Sequence, residues 1–399
     1  MWIVTRWHRK VLTLAVCAAV AIGGSGAAGT LAAGPAISSP SNLGDVGTVV
    51  SARPLAPQFW VPGSADATVL TYVTTDAFGK KALSTGTVFT PRGTAPPGGW
   101  PVISWAHGTS GIGDDCAPSV RGPGLPERDL PYLAKWMQQG YAIVASDYAG
   151  LGTPGLHAYL DGRTTAHNVV DMVRAGREFS STRPVAQRLS RSWAAVGQSQ
   201  GGGAAIYTAR YATEFGGEEL DYRGAVGTGT PAYIERLVQI AGPGVPPVAI
   251  TPALTAYLSY ILAGLRYAHP ELGIDRILTP TGRKYVALAE TRCVGEFEEQ
   301  LRGVSLGDYF TAPLTSLPRF SATLANYLGM PEKGFDKPFF MGHGLFDTDV
   351  PYPTTAAYAA TLTANRQPVT FRTYPSDHSG TLVRSQADTI PFLGRLFGK

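Results

Sequence analysis

Cysteine is scarce in this chain, with three in 399 residues. That excludes a disulfide-dense scaffold, and no C-x-x-C spacing suggests a zinc site. Charge is also scarce, at 16% of residues, which does not suit a disordered or coiled-coil chain. No Lys/Arg run could track a phosphate backbone, so nucleic acid is discounted as a partner. There is no H-E-x-x-H, no P-loop and no G-x-G-x-x-G at a first βα turn, so nothing calls for a metal or cofactor. Beyond residue 22 no apolar stretch is long enough to span a bilayer.

What the chain does have is turn formers, 48 Gly and 31 Pro, beside a 44% hydrophobic content. The composition suits an extracellular enzyme with one large domain, or one domain and an insertion. Residues 1–33 read as a signal peptide. Arg6, His8, Arg9 and Lys10 form the charged head, Val11 to Ile22 the apolar run, and small residues follow from Gly23 to Ala36. Ala28, Ala33 and Ala36 are all plausible cleavage points. Cys17 does not make a lipobox, because Val16 precedes it where a small residue belongs. The formal charge is +4, of which three units belong to Arg6, Arg9 and Lys10, so the mature chain is nearly neutral. Cys116 and Cys293 then remain, and two cysteines in an oxidising compartment predict one disulfide.

Residues 34–65 read as a linker and irregular lead-in. Strands are expected at Val69–Thr75, Leu83–Thr90, Pro101–Ala106, Tyr141–Ser146, Ser192–Val196, Ala225–Thr228, Pro338–Gly342 and Val369–Tyr374. Helices are expected at Leu130–Gln139, Thr165–Phe179, Gly201–Tyr211, near Thr354–Asn365 and near Thr381–Phe397. The alternation predicts an α/β fold with a mostly parallel central sheet. It fails between 232 and 335, which reads as a helical cap inserted between core segments 66–231 and 336–399. Within the cap, a helix over Thr255–Leu265 would place Leu254, Leu258, Ile261, Leu262 and Leu265 on or near one face. That face either packs into the cap's own core or lines a channel for an apolar ligand.

Gly197-Gln198-Ser199-Gln200-Gly201 is a G-x-S-x-G match. It follows the apolar strand WAAV and opens a Gly/Ala-rich helix, the context of a nucleophile elbow. Ser199 is therefore the candidate nucleophile. A serine hydroxyl needs a base, and the base an orienting acid. In this fold the order is serine, acid, histidine. Of seven histidines, His269, His343 and His378 lie downstream. His378 follows a strand, in a loop leading to the last helix, and is the candidate base. The loop HGLFDTDVPY offers Asp347 and Asp349. Asp347 holds the acid position in G-x-x-D-x-x-V-P, and Asp349 is the alternative. An oxyanion hole needs two N–H donors. Gln200 should supply one, and the loop His107-Gly108-Thr109-Ser110-Gly111 the other, from Thr109 or Gly108. Asp147-Tyr148 would fix a loop at the same rim.

AHGTSG with CAPS, DYAGLGTPG, GQSQGG and HGLFDTDVPY together resemble the secretory lipase family, the lipase A-type enzymes of fungi and actinobacteria. The resemblance runs from about Val69 to the C-terminus. It implies an α/β-hydrolase core with a helical cap, lipase or esterase activity, and a triad of Ser199, Asp347 and His378. It further implies that Cys116 pairs with a cap cysteine, and Cys293 fits. A second disulfide known near the acid in fungal members has no cysteines here.

The function expected is secreted carboxylic ester hydrolysis, with an ester or lipid substrate and a transient contact to a lipid interface through the cap. A peptidase or cell-wall acyltransferase on the same fold, or an inactive binding protein, are the competing readings.

Overall fold

The computed structural model describes residues 43–245 and 251–399. The expected signal peptide and its cleavage points lie outside the described residues. Among the described residues, nine strands form one sheet in the order β1-β2-β3-β5-β4-β6-β7-β8-β9. They are β1 Val49–Pro54, β2 Ser64–Thr75, β3 Lys81–Pro91, β4 Trp100–Ala106, β5 Ala142–Ser146, β6 Leu189–Gln198, β7 Asp221–Thr228, β8 Phe339–Gly344 and β9 Val369–Tyr374. β1, β2 and β3 pair antiparallel, as does β3 with β5. From β5 to β9 every pairing is parallel.

The short apolar runs become central strands because helices cover both faces of the sheet. On one face lie helices Gly162–Ser181 and Gln200–Gly216, packing Val169, Met172, Val173, Ala205 and Ile206 onto it. On the other lie Pro126–Gln138 and Gln386–Leu396, burying Tyr132, Trp136, Phe392 and Leu393. This is the α/β-hydrolase arrangement. Ser199, Asp347 and His378 then follow β6, β8 and β9, so all three stand at the carboxyl edge of the sheet, where open α/β sheets bind ligands.

Two expectations need correction. The lead-in 34–65 is not irregular throughout, because Val49–Pro54 forms the edge strand β1. Its burial pattern is almost wholly exposed, so it carries no alternation to read. The terminal helix is two helices, His378–Arg384 and Gln386–Leu396. The first starts three residues earlier than Thr381, because Asp377 caps it by accepting from the Gly380 N–H at 2.7 Å. His378 is thus the first helical residue rather than a loop residue.

Between β7 and β8 the chain forms helices Ile234–Val238, Pro252–Ala268, Pro280–Ala289, Val294–Gln300 and Phe320–Leu328. Thr251 caps the long one through the Leu254 N–H, with Pro252 at its first position. These helices share an apolar cluster that includes Tyr260, Leu262, Leu265, Phe297, Phe320 and Leu324. Ile112, Ala158 and Tyr159, from two core loops, are part of the same cluster. A disulfide joins Cys116 in the core to Cys293 in this insertion, with Cα atoms 5.3 Å apart. The bond expected from the cysteine count is present.

Candidate active site

Ser199 sits between the end of β6 and the helix Gln200–Gly216 with φ 60° and ψ −124°, a conformation a non-glycine residue holds at a cost of about 1–3 kcal/mol. Its N–H donates to Thr228 O at 2.9 Å and its carbonyl accepts from the Gly203 N–H at 3.0 Å, which locks the turn. The flanking glycines are required by close approach. A Cβ on Gly197 would lie 2.0 Å from Gly201 O, and one on Gly201 1.9 Å from Ala106 O.

His378 is buried and donates from Nδ1 to Asp347 Oδ2 at 2.7 Å. Its Nε2 has no partner among the described residues, and it lines the same cavity as Ser199. The other Asp347 oxygen accepts the N–H groups of Asp349 (3.0 Å) and Val350 (2.8 Å). Burial by itself would raise the Asp347 carboxyl. The His378 hydrogen bond and charge, the Val350 N–H and the His343 charge outweigh it and hold the group below its usual range. Asp347 is thus kept as an ion. Asp349 makes no side-chain hydrogen bond to His378 among the described residues; its Oδ2 accepts from Tyr257 OH at 3.4 Å.

Of the remaining histidines, His343 lies behind the pair. Its Nε2 donates to Val350 O at 3.0 Å and stands 3.4 Å from Asp347 Oδ2, and burial lowers its pKa. His269 is in the insertion beside Glu271. By sequence, His343 is a downstream histidine that precedes both acid candidates, Asp347 and Asp349. Its spacing of four from Asp347 is the sequence signal for a supporting position.

Gln200 is the first residue of its helix, where a backbone N–H has no intrahelical acceptor. Gly108 runs beside Ser199, and a Cβ there would be 3.7 Å from Ser199 Cβ. Thr109 follows, its hydroxyl 2.5 Å from Tyr159 OH. Asp147 and Tyr148 do brace this rim. Asp147 accepts from Ser119 N and Thr85 Oγ1, and Tyr148 OH donates to His107 O at 3.0 Å.

Two cavities meet at Ser199. One, of about 240 Å³, is apolar, with walls that include Leu237, Ile240, Leu254, Leu258 and Ile261. The other, of about 390 Å³, is the more polar of the two, with Thr109, Arg128, Asp129, Glu298, His378 and Ser379 among the residues on its walls. Tyr257 and Asp349 border both. The insertion helix Pro252–Ala268 therefore splits the apolar face read from sequence. Leu254, Leu258 and Ile261 face the cavity. Leu258 and Ile261 also join the insertion's own core, whereas Leu262 and Leu265 lie wholly within that core and do not line the cavity.

Residues 127–312 match the family model of secretory lipases. Lipase A of Moesziomyces aphidis is 23% identical over 386 residues, spanning 91% of this chain and 79% of the relative. Among solved structures, Candida antarctica lipase A in its closed state superposes with a TM-score of 0.74 at 21% identity, over 89% of this chain and 83% of that one. The rice cell wall degrading esterase LipA of Xanthomonas oryzae, in a ligand-bound form, gives 0.70 at 19% identity, over 86% and 98%. These likenesses agree with the α/β-hydrolase fold built up strand by strand above, and the stretch that matches the secretory lipase model contains DYAGLGTPG and GQSQGG, two of the motifs that carry the resemblance.

Proposed function

We propose that this lipase- or esterase-type hydrolase cleaves carboxylic esters through Ser199, His378 and Asp347. One observation carries the reading. A strained serine stands where an apolar and a polar cavity meet, beside a histidine whose outer nitrogen is free and whose inner nitrogen is held by an ionised carboxylate. His378 Nε2 takes the Ser199 proton as Oγ attacks the ester carbonyl, and Asp347 stabilises the imidazolium. The N–H groups of Gln200 and of Thr109 or Gly108 meet the developing oxyanion. The leaving alcohol takes the proton from His378, and water, activated by the same nitrogen, releases the acid from Ser199. The acyl chain occupies the apolar cavity and the alcohol the polar one, on the His378 side. Residues 232–335 act as the cap over this site. Ile240 and Leu237 stand exposed at the mouth of the apolar cavity and offer the surface for contact with a lipid aggregate. The disulfide and the family fit an extracellular protein released by cleavage of residues 1–33.

The test is hydrolysis of p-nitrophenyl octanoate by purified, folded variants. Ser199→Ala and His378→Ala should each lose about 10⁴-fold or more in turnover. Asp347→Asn should cripple the enzyme, while Asp349→Asn keeps most of its activity. Substantial turnover by Ser199→Ala would overturn the reading.

A further inference from the structure

The loop Asp147–Asp161, which contains DYAGLGTPG, does more than border the site. It touches the carriers of both candidate oxyanion donors. At its start, Tyr148 OH donates to His107 O at 3.0 Å, one residue before Gly108. At its end, the Tyr159 hydroxyl meets Thr109 Oγ1 at 2.5 Å. Between them His157 reaches the other side of the nucleophile, its Nε2 lying 2.8 Å from Gln200 Nε2. The loop doubles back tightly to do so. Gly150 has φ 78°, and a Cβ there would lie 2.4 Å from the carbonyl carbon of Leu156.

The chemistry of the His157 contact fixes its direction. Nδ1 faces the Ala149 carbonyl at 3.3 Å, and a carbonyl can only accept, so the proton sits on Nδ1. Nε2 therefore presents a lone pair, and the Gln200 amide must turn its NH₂ toward it. Rotating the amide would set Oε1 against that lone pair. The chosen orientation leaves Gln200 Oε1 buried without a partner among the described residues, a loss of about 1–3 kcal/mol that an unconstrained glutamine would avoid. The ring itself has little freedom. It stacks on Tyr148 at 5.4 Å and 18°, and meets Tyr159 edge-on at 6.3 Å and 80°. Burial, and then the charge of His107, push its pKa down to about 3, so it stays neutral and keeps the acceptor. For the same reason it is no proton carrier.

We propose that His157 is a positioning residue for the oxyanion hole. It pins the Gln200 side chain through Nε2 and so fixes the first residue after the nucleophile, while Tyr148 and Tyr159, packed on its ring, fix the facing His107–Thr109 loop. The proposal rests on Ser199 being the nucleophile. It predicts that His157 acts on the transition state and not on substrate binding, because it touches neither cavity wall at the acyl chain nor the reacting atoms.

The experiment compares His157→Phe, which keeps an aromatic ring and removes the acceptor, Gln200→Met, which keeps the length and removes the donor, and the double variant. Ser199→Ala is run alongside. Misplacing a catalytic group by about 1 Å costs up to about 10²-fold in rate, less than the loss of an oxyanion donor outright. Each single variant should therefore lose about 10- to 100-fold in kcat, with KM within about threefold. Inhibition by a trifluoromethyl ketone, which forms a serine-bound oxyanion, should weaken in proportion. The double variant should be no worse than the poorer single one, since both break the same link. His157→Gln, whose amide can both donate to Ala149 and accept from Gln200, should recover part of the loss. If His157→Phe does not fold, Gln200→Met is judged by the same kcat and ketone criteria. Retention of kcat within about twofold, fully additive losses, or a loss confined to KM would each overturn the proposal. Activity surviving in Ser199→Ala would instead overturn the functional reading beneath it.

Discussion

Leu258 and Leu262 lie one turn apart on the helix Pro252–Ala268, and they should fail in different ways. Leu258 lines the apolar cavity with Leu254 and Ile261. Leu262 has no exposed surface and packs inside the insertion's core. Burying one methylene is worth about 0.8 kcal/mol, close to a fourfold gain in kcat/KM. Wild-type kcat/KM on p-nitrophenyl esters should therefore climb about fourfold per CH₂ from acetate until the cavity is full, then level off. Leu258→Trp fills part of the cavity, so the climb should stop at a shorter chain while acetate is hydrolysed as before. Leu262→Ala should leave the profile unchanged and cost stability, about 3–5 kcal/mol for a fully buried leucine. With an unfolding entropy of about 2.1 cal/mol/K per residue over roughly 350 residues, that is a fall in Tm of about 4–7 °C. The assay is the ester series with a thermal melt for each protein. If Leu258→Trp lowers every ester in the same proportion, the cavity does not hold the acyl chain. If Leu262→Ala shifts the profile, the division of this helix face is wrong.

Replacing Cys116 and Cys293 by Ser opens a link between residues 177 apart. The chain-entropy value for so long a loop is about 5 kcal/mol, so Tm should fall by up to roughly 7 °C, and an unchanged melt would show that the bond adds nothing. Asp171 is fully buried, and desolvation pushes its pKa up to about 6 against the opposing Thr74 and Arg174 hydrogen bonds. Its folded form binds a proton more tightly than the unfolded one, so wild-type stability should fall by about 3 kcal/mol as pH rises from about 4 to 6. Asp171→Asn should lack that slope, and parallel melts at pH 4.5 and 7 for both proteins would refute it. Burial and then the charge of Asp349 raise the Glu298 carboxyl in the polar cavity. If hydroxyl groups of the alcohol bond there, Glu298→Ala should lower kcat/KM for a glycerol ester relative to the methyl ester of the same acid by roughly tenfold, and an unchanged ratio places the alcohol elsewhere.

The sequence by itself carried the parts of this protein that depend on local chemistry. The parallel strands announced themselves as short apolar runs because burial on both faces leaves no room for polar residues. The elbow was legible because only glycine fits at 197 and 201. Asp347 and His378 could be ranked because strand–loop order constrains where an acid and a base can sit. Edge strand β1 was not legible, since an exposed strand needs no apolar pattern, and neither was the early helix start at His378, which a cap residue decides. Only the tertiary structure separated Leu258, which packs in the core and also lines the cavity, from Leu262, which packs in the core alone, because both need burial and sequence does not say against what. Likewise only the folded chain brought His157 to Gln200. A histidine in a glycine-rich loop has no partner until the loop closes, and the tautomer that gives it meaning is set by a carbonyl eight residues away.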